Sequence, residues 1–209
     1  MSEQITSPWI SMWTKPRATI RSIVEKNARF RFLILSFFYG LPVVLQAAQN
    51  ASLSLSLPFT AIVLYALFLA TFIGMTLLSI YSLLLTWTSR WLGGEASFLQ
   101  VRCAVSWSNL PSIAAVCLWM GLAFYFKESV FNEQFANLPF SHLEGITVML
   151  VFLSQFILTV WTWFLMVVSL SEVEGFSIGR SIISNILAYI GGMILLVLFV
   201  RGLYLILNY

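Results

Sequence analysis

Gly93-Gly94-Glu95-Ala96-Ser97-Phe98-Leu99-Gln100-Val101-Arg102, in one-letter form GGEASFLQVR, breaks a chain that otherwise avoids charge. No charged side chain occurs between Phe32 and Ser89, and none between Cys103 and Phe126. Two glycines, a glutamate and an arginine therefore separate two apolar runs, each long enough to matter. A helix needs about 20 apolar residues to cross the hydrocarbon core of a bilayer, and this interruption reads as the connector between two crossings.

Composition supports lipid as the solvent. The 209 residues are 60% hydrophobic and 9% charged, with a mean hydropathy of +0.92. Soluble domains carry about 25% charged residues to cover their surface. The 8 Trp, 7 Tyr and 18 Phe suit membrane interfaces. Working outward from the connector, the crossings are expected at Phe32 to Gln49, Pro58 to Ser89, Ser108 to Phe126, Gly145 to Ser171 and Ile182 to Val200 or beyond. The expected fold is an all-α integral membrane protein, a bundle of five transmembrane helices with short amphipathic helices on the cytoplasmic side. Residues 1–31 form a cytoplasmic amphipathic leader and residues 32–209 the transmembrane domain. No secretory signal peptide is evident, so the first crossing is expected to be retained.

Basic residues orient the chain. Lys15, Arg17, Arg21, Lys26, Arg29 and Arg31 precede the first crossing, and Arg90, Arg102 and Arg180 flank the connectors on the same side. Only Lys127 and Arg201 fall on the other side. By the positive-inside rule the N-terminus is cytoplasmic and the C-terminus lies across the membrane. In the leader, Ile20, Ile23, Val24 and Phe30 share one helical face, and Arg21 pairs with Glu25 at i,i+4 spacing. In the opening stretch, the glycines end the second crossing, and Ser97 or Glu95 starts a short amphipathic helix held on the membrane by Phe98 and Val101. Pro111 then opens the third crossing in its first turn.

Two groups of side chains are candidates for function. One is a charged cluster at the cytoplasmic face, Arg90, Glu95, Arg102, Glu172, Glu174 and Arg180, with Arg102, Arg90 or Arg180 facing the two glutamates. Ionisable groups at membrane depth are costly and often mechanistic. The other is a polar stripe within the membrane, Gln155, Thr159, Thr162 and Asn185, which reads either as helix–helix contact or as a path for an ion, proton or small solute. Ser181, Ser184, Asn185, Ala188, Gly191 and Gly192 form a small-residue packing face on the fifth crossing. Thr71, Gly74, Ser82 and Thr86 lie near one stripe of the second. Arg201 snorkels to the outer interface.

Enzyme signatures are missing. No HExxH, GxSxG or P-loop occurs, and a chain without aspartate cannot form a Ser-His-Asp triad. His142 with Glu144 is at most a weak metal pair in a solvated loop. Cys103 and Cys117, if on one helix, lie ~21 Å apart and cannot bridge. No catalytic residue, metal, cofactor or nucleic-acid partner is expected.

The spacing of the crossings, Pro16 with Thr19-Ile20-Arg21, the segment GGEASFLQVRCAVSWSNLPSI before the third crossing and EVEGFSIGRSI before the fifth together resemble the YIP family. These are the Ypt/Rab-interacting-protein-type membrane proteins, and the likeness, over about residues 12 to 205, is to their short prokaryotic members. The resemblance implies five helices, a cytoplasmic N-terminus and a C-terminus across the membrane. Eukaryotic relatives act in vesicle traffic and bind small prenylated GTPases through a long cytoplasmic N-terminal region; with 31 residues ahead of the first crossing, small-GTPase binding is not the expectation for this chain. The expected function is that of a non-enzymatic protein of a bacterial inner membrane, acting by self-association or as a scaffold or adaptor for another membrane protein. The alternative is a small transporter or channel.

Overall fold

A computed structural model describes residues 7–207. Eight α-helices follow one another: α1 (Pro8–Thr14), α2 (Pro16–Asn27), α3 (Phe32–Asn50), α4 (Phe59–Trp91), α5 (Phe98–Ser108), α6 (Ser112–Phe126), α7 (His142–Glu174) and α8 (Ile178–Leu207). Five of the described helices are long and apolar enough to cross a membrane: α3, α4, α6 with the 3-10 turn that extends it to Phe131, α7 and α8. Each coincides with an expected crossing. The protein is an all-α membrane protein with five spans. Outward-facing Leu64, Phe68, Phe156, Ile157, Leu196 and Leu198 are exposed, as the lipid-facing side of a spanning helix requires.

The chain divides into two compact units. The first takes the described residues of Met1–Phe30, Leu78–Val105 and Met166–Tyr209, and the second takes Arg31–Leu77 and Ser106–Leu165. Both long helices α4 and α7 therefore contribute one part to each unit.

In the second unit, α3 and α4 meet backbone to backbone. A Cβ added to Gly40 would collide with the carbonyl of Ala70, and one added to Gly74 would collide with the carbonyl of Ser36. Ser36 with Gly40 and Ala70 with Gly74 are two small pairs at i,i+4, the spacing that lets helices approach closely in lipid. Around this contact Leu45, Ile62, Trp119, Phe131 and Phe135 fill a buried core, and Trp119 stacks on Phe131 at 6.2 Å. The loops close over it: the Ser54 hydroxyl donates to the Phe131 carbonyl at 3.0 Å, and the Glu133 N–H donates to Ser52 Oγ at 3.1 Å.

In the first unit, α1 and α2 form a corner at Lys15, with Pro16 in the first turn of α2. Met12, Thr19, Ile20 and Ile23 are buried. Val24 is half-buried and Phe30 exposed, so the buried face of the leader is narrower than its apolar periodicity predicts. The connector helix α5 also sits deeper than an amphipathic surface helix would. Val101 and every residue from Cys103 to Ser108 are buried, which means protein, not a lipid surface, covers most of its circumference. Burial pushes the Cys103 thiol up to about 12, leaving it a packing group with little thiolate. Cys103 and Cys117 are free and lie on different helices, because the chain breaks between α5 and α6.

Candidate functional site

The two glycines of the opening stretch have different tasks. Gly93 adopts φ +82°, a conformation that costs a side-chain-bearing residue about 1–2 kcal/mol. The Gly94 N–H donates to the Ser89 carbonyl at 2.9 Å and the Gly93 N–H to the Arg90 carbonyl at 3.2 Å. This pair of bonds is the Schellman termination of α4. Gly94 instead makes room. A Cβ there would run into the Glu174 carboxyl group, with Cδ only 2.9 Å away, and into Ser89 Cβ at 3.1 Å.

Glu174 ends α7 and is 6% exposed. Its Oε2 accepts the Ala96 N–H at 2.9 Å, while its Oε1 is buried with no hydrogen-bond partner. A carboxylate in that position holds the extended segment after Gly94 in place. The chain then enters α5 with the Gln100 side chain folded back onto Ser97. Gln100 Oε1 reaches back to accept both the Ser97 N–H at 2.8 Å and the Ser97 hydroxyl at 2.9 Å.

The other connector is built with the same devices. Gly175 takes φ +68° and ends α7. Ser171 donates its hydroxyl to the Phe176 carbonyl at 2.8 Å, and the Ser181 hydroxyl donates to the Val167 carbonyl at 2.7 Å. These bonds clamp α7 to α8 across a three-residue turn, with the Ser177 side chain accepting the Arg180 N–H at 3.4 Å.

The arginine that meets Glu172 is none of those expected. Arg21 of the leader donates its Nε to Glu172 Oε1 at 2.6 Å, and its Nη2 also contacts that oxygen. Arg21 therefore does not serve Glu25, the i,i+4 partner that local spacing suggests. Of the other expected partners, Arg90 brings its charge to bear on Glu174. The Arg180 guanidinium lies over the Gly93 turn, 3.9 Å from where a Cβ would sit. Arg102 stands over the Phe98 ring at 5.4 Å. Its pKa is lowered by partial burial and by the nearby charge of Arg29. Glu95 is exposed.

The small face of α8 is partly as expected. Ser181, Ser184, Asn185 and Ala188 are buried, and α4 supplies partners for Ser184 and Asn185. Thr88 Oγ1 lies 2.9 Å from Ser184 Oγ, as does Ser89 Oγ. Tyr81 donates its hydroxyl to Asn185 Oδ1 at 3.0 Å. Ser82 and Thr86 are buried on the same half of α4. Further along α8 only one of the two glycines faces α4. Gly192 would meet Leu84 at 3.3 Å, but a Cβ on Gly191 would meet nothing within 4 Å. Gly191 thus falls outside the packed seam, since successive residues of a helix point about 100° apart.

The residues of the polar stripe fall in both units. Asn185 belongs to the first unit, and Gln155, Thr159 and Thr162 to the second. There Gln155 donates to the Ala115 carbonyl at 3.2 Å, and Thr159 donates back to the Gln155 carbonyl at 2.9 Å. Gln155 and Thr159 line two cavities of about 250 Å³ each, one shared with Gln46 and Gln49, the other with Asn109 and Thr162. Glu144 is occupied in capping α7, accepting the Ser141 N–H at 2.9 Å and its hydroxyl at 2.7 Å, so it is committed locally and not to His142. Among the described residues no group of three or more His, Cys, Asp or Glu side chains could hold a metal ion.

Sequence reasoning missed Arg21 and Gly40. The pairing of Arg21 with Glu172 spans 151 positions and has no local signature. Gly40 did carry a signal, the Ser36–Gly40 spacing that mirrors Ala70–Gly74.

The family profile described as the Yip1 domain matches residues 10–204 of the chain. No curated protein and no solved structure gives a significant match.

Proposed function

The chain belongs to the Yip1 domain family, and from that premise we propose that it is a non-enzymatic membrane scaffold that works by association, with itself or with another membrane protein. The surface we assign to this role is the end of the first unit where the leader and the two connectors converge, carrying Arg90, Glu95, Arg102 and Arg180 outside and Glu172 and Glu174 within. One observation carries the reading: Arg21 holds the leader onto Glu172. The more accessible of the two glutamates of a would-be ion site is thereby spent on fixing a surface element. Other polar groups of the first unit join α4 to α8, Ser89 with Ser184 and Tyr81 with Asn185, which is how polar residues join helices in lipid. We place the protein in a bacterial inner membrane with the leader on the cytoplasmic side.

The test is reconstitution of the full chain in nanodiscs wide enough for several copies. Native mass measurement should find assemblies of more than one copy, and Arg21→Glu, which sets two like charges together, should weaken them. A liposome assay should find no proton or cation flux. A species that stays single-copy at every protein-to-disc ratio and conducts would overturn the reading. The transport alternative has its own support in the two cavities that share Gln155 and Thr159. It requires flux that Gln155→Leu abolishes without unfolding the protein.

A further inference from the structure

The leader contains a cavity that the association reading does not use. Between α1 and α2 lies a space of about 300 Å³. Pro8, Ile23 and Phe30 give it apolar walls, and Ser22, Lys26 and Asn27 bring polar groups to it. Ile23 is buried and Lys26 is exposed, so an apolar interior opens past a cationic rim. Lys26 is the cation of that rim, and Arg29, three positions further along the chain, bears its charge on Arg102 of α5. Asn27 uses its side-chain oxygen to accept the Arg29 N–H at 2.9 Å, which leaves its amide hydrogens as donors.

Position fixes the class of ligand. Asn27 precedes Phe32, the first residue of the first span, by five residues, and five residues reach at most ~18 Å even when extended. Lys26 and Asn27 therefore sit close to the depth at which the first helix enters lipid, where headgroup phosphates lie. The opposing charge is smaller. The C-terminal end of α2 contributes only about half a negative charge, and Glu25 is the single acidic residue of α2, against Lys26 and Arg29 in the same unit.

We propose that the groove between α1 and α2 binds an anionic phospholipid, with an acyl chain against Pro8, Ile23 and Phe30 and the phosphate at Lys26 and Asn27. The match is one of charge and of shape, since a cationic rim over an apolar slot is complementary to an anionic headgroup over a hydrocarbon chain. This lipid site does not depend on the association reading and stands or falls apart from it.

The experiment is native mass spectrometry of the full-length protein released from detergent doped with equal phosphatidylglycerol and phosphatidylcholine. Wild type should retain phosphatidylglycerol preferentially. Lys26→Gln should lower that preference about fivefold, the effect of one basic residue at an anionic surface. Lys127→Gln, an exposed lysine outside the groove, should leave it unchanged. Ser22→Phe, which fills the groove, should reduce retention of both lipids. Circular dichroism should show all three variants folded. Equal retention of the two lipids by wild type would overturn the proposal, as would a preference that survives Lys26→Gln. If Ser22→Phe left retention intact, headgroups would be adsorbing to the basic surface and the groove would play no part. Displacement of the lipid by inorganic phosphate alone would reduce the site to an anion site and overturn it too.

Discussion

At the scale of single residues, Gly93 and Gly94 separate two kinds of glycine requirement. Gly93 is needed for its backbone angle and Gly94 for the absent methyl group, and the two predict different rescue behaviour. Gly93→Ala should cost about 1–2 kcal/mol whatever lies around it. Gly94→Ala should cost about 1–3 kcal/mol through overpacking against Glu174. Glu174→Ala removes the clash but strands the Ala96 N–H, at about 1–3 kcal/mol. The double variant Gly94→Ala with Glu174→Ala should therefore be more stable than the sum of the two losses by at least about 0.5 kcal/mol. Gly93→Ala with Glu174→Ala should be close to additive. Denaturation of the purified protein in mild detergent measures all of these variants. Additivity at both glycines would mean that the Gly94 backbone moves aside freely and that the close approach to Glu174 is of no consequence. The charge pair makes a related point. Arg21 is 65% exposed and Glu172 11%, so the bridge itself is worth at most about 1 kcal/mol. Its value lies in specifying where the leader rests.

At the scale of elements, the sequence is readable wherever one helix has to cross lipid on its own account. Runs such as Phe32–Asn50 and Phe59–Trp91 must satisfy every backbone group internally and present apolar side chains outward, so length and composition locate them. The Schellman end of α4 and the start of α5 at Ser97 are legible for the same reason, because both depend on neighbours within six residues. What could not be read were pairings between elements. Arg21 lies far from Glu172 in sequence, and a local i,i+4 rule offered Glu25 instead. The small face of α8 from Ser181 to Ala188 is buried, and further along Gly192 faces Leu84 while Gly191 does not, because small-residue spacing does not say which of two adjacent glycines points at the neighbour. The Gly40–Gly74 contact of α3 and α4 yields the corresponding prediction. Gly40→Ala should lower stability by about 1–3 kcal/mol, since the new methyl group meets the rigid carbonyl of Ala70. Gly191→Ala, with open space beside it, should be neutral or up to about 1 kcal/mol stabilising through helix propensity. Thermal unfolding in detergent distinguishes the two. Equal effects would mean that α3 and α4 separate easily and that their backbone contact is not a fixed feature of the unit.

At the scale of the whole molecule, the hydrogen bonds between connecting segments bear on topology independently of charge. The leader, the segment after α4 and the end of α7 are joined by Arg21 with Glu172 and by Ala96 with Glu174. The loop after α3 and the loop after α6 are joined by Ser54 with Phe131 and by Ser52 with Glu133. Along the chain, each spanning helix leads from one set to the other: leader, loop after α3, segment after α4, loop after α6, end of α7. An odd number of crossings between members of opposite sets, and an even number within a set, is what that alternation demands. The basic residues favour the first set as the cytoplasmic one, and this orientation can be tested without the termini. In a Cys103→Ala, Cys117→Ser background, single cysteines at Thr14, Glu95 and Ser177 should react with a membrane-impermeant maleimide from the cytoplasmic face of sealed vesicles. Cysteines at Ser56 and Glu133 should react only from the opposite face. Reaction of the Thr14 and Glu133 positions from the same face would remove one of the three crossings between them and with it the five-span count. Reaction of the whole first set from the outer face would keep the five spans and reverse the orientation. In that case Arg90, Arg102, Arg180 and the leader could no longer be explained by the positive-inside rule, and their charges would have to be retained for ion pairing and lipid binding instead.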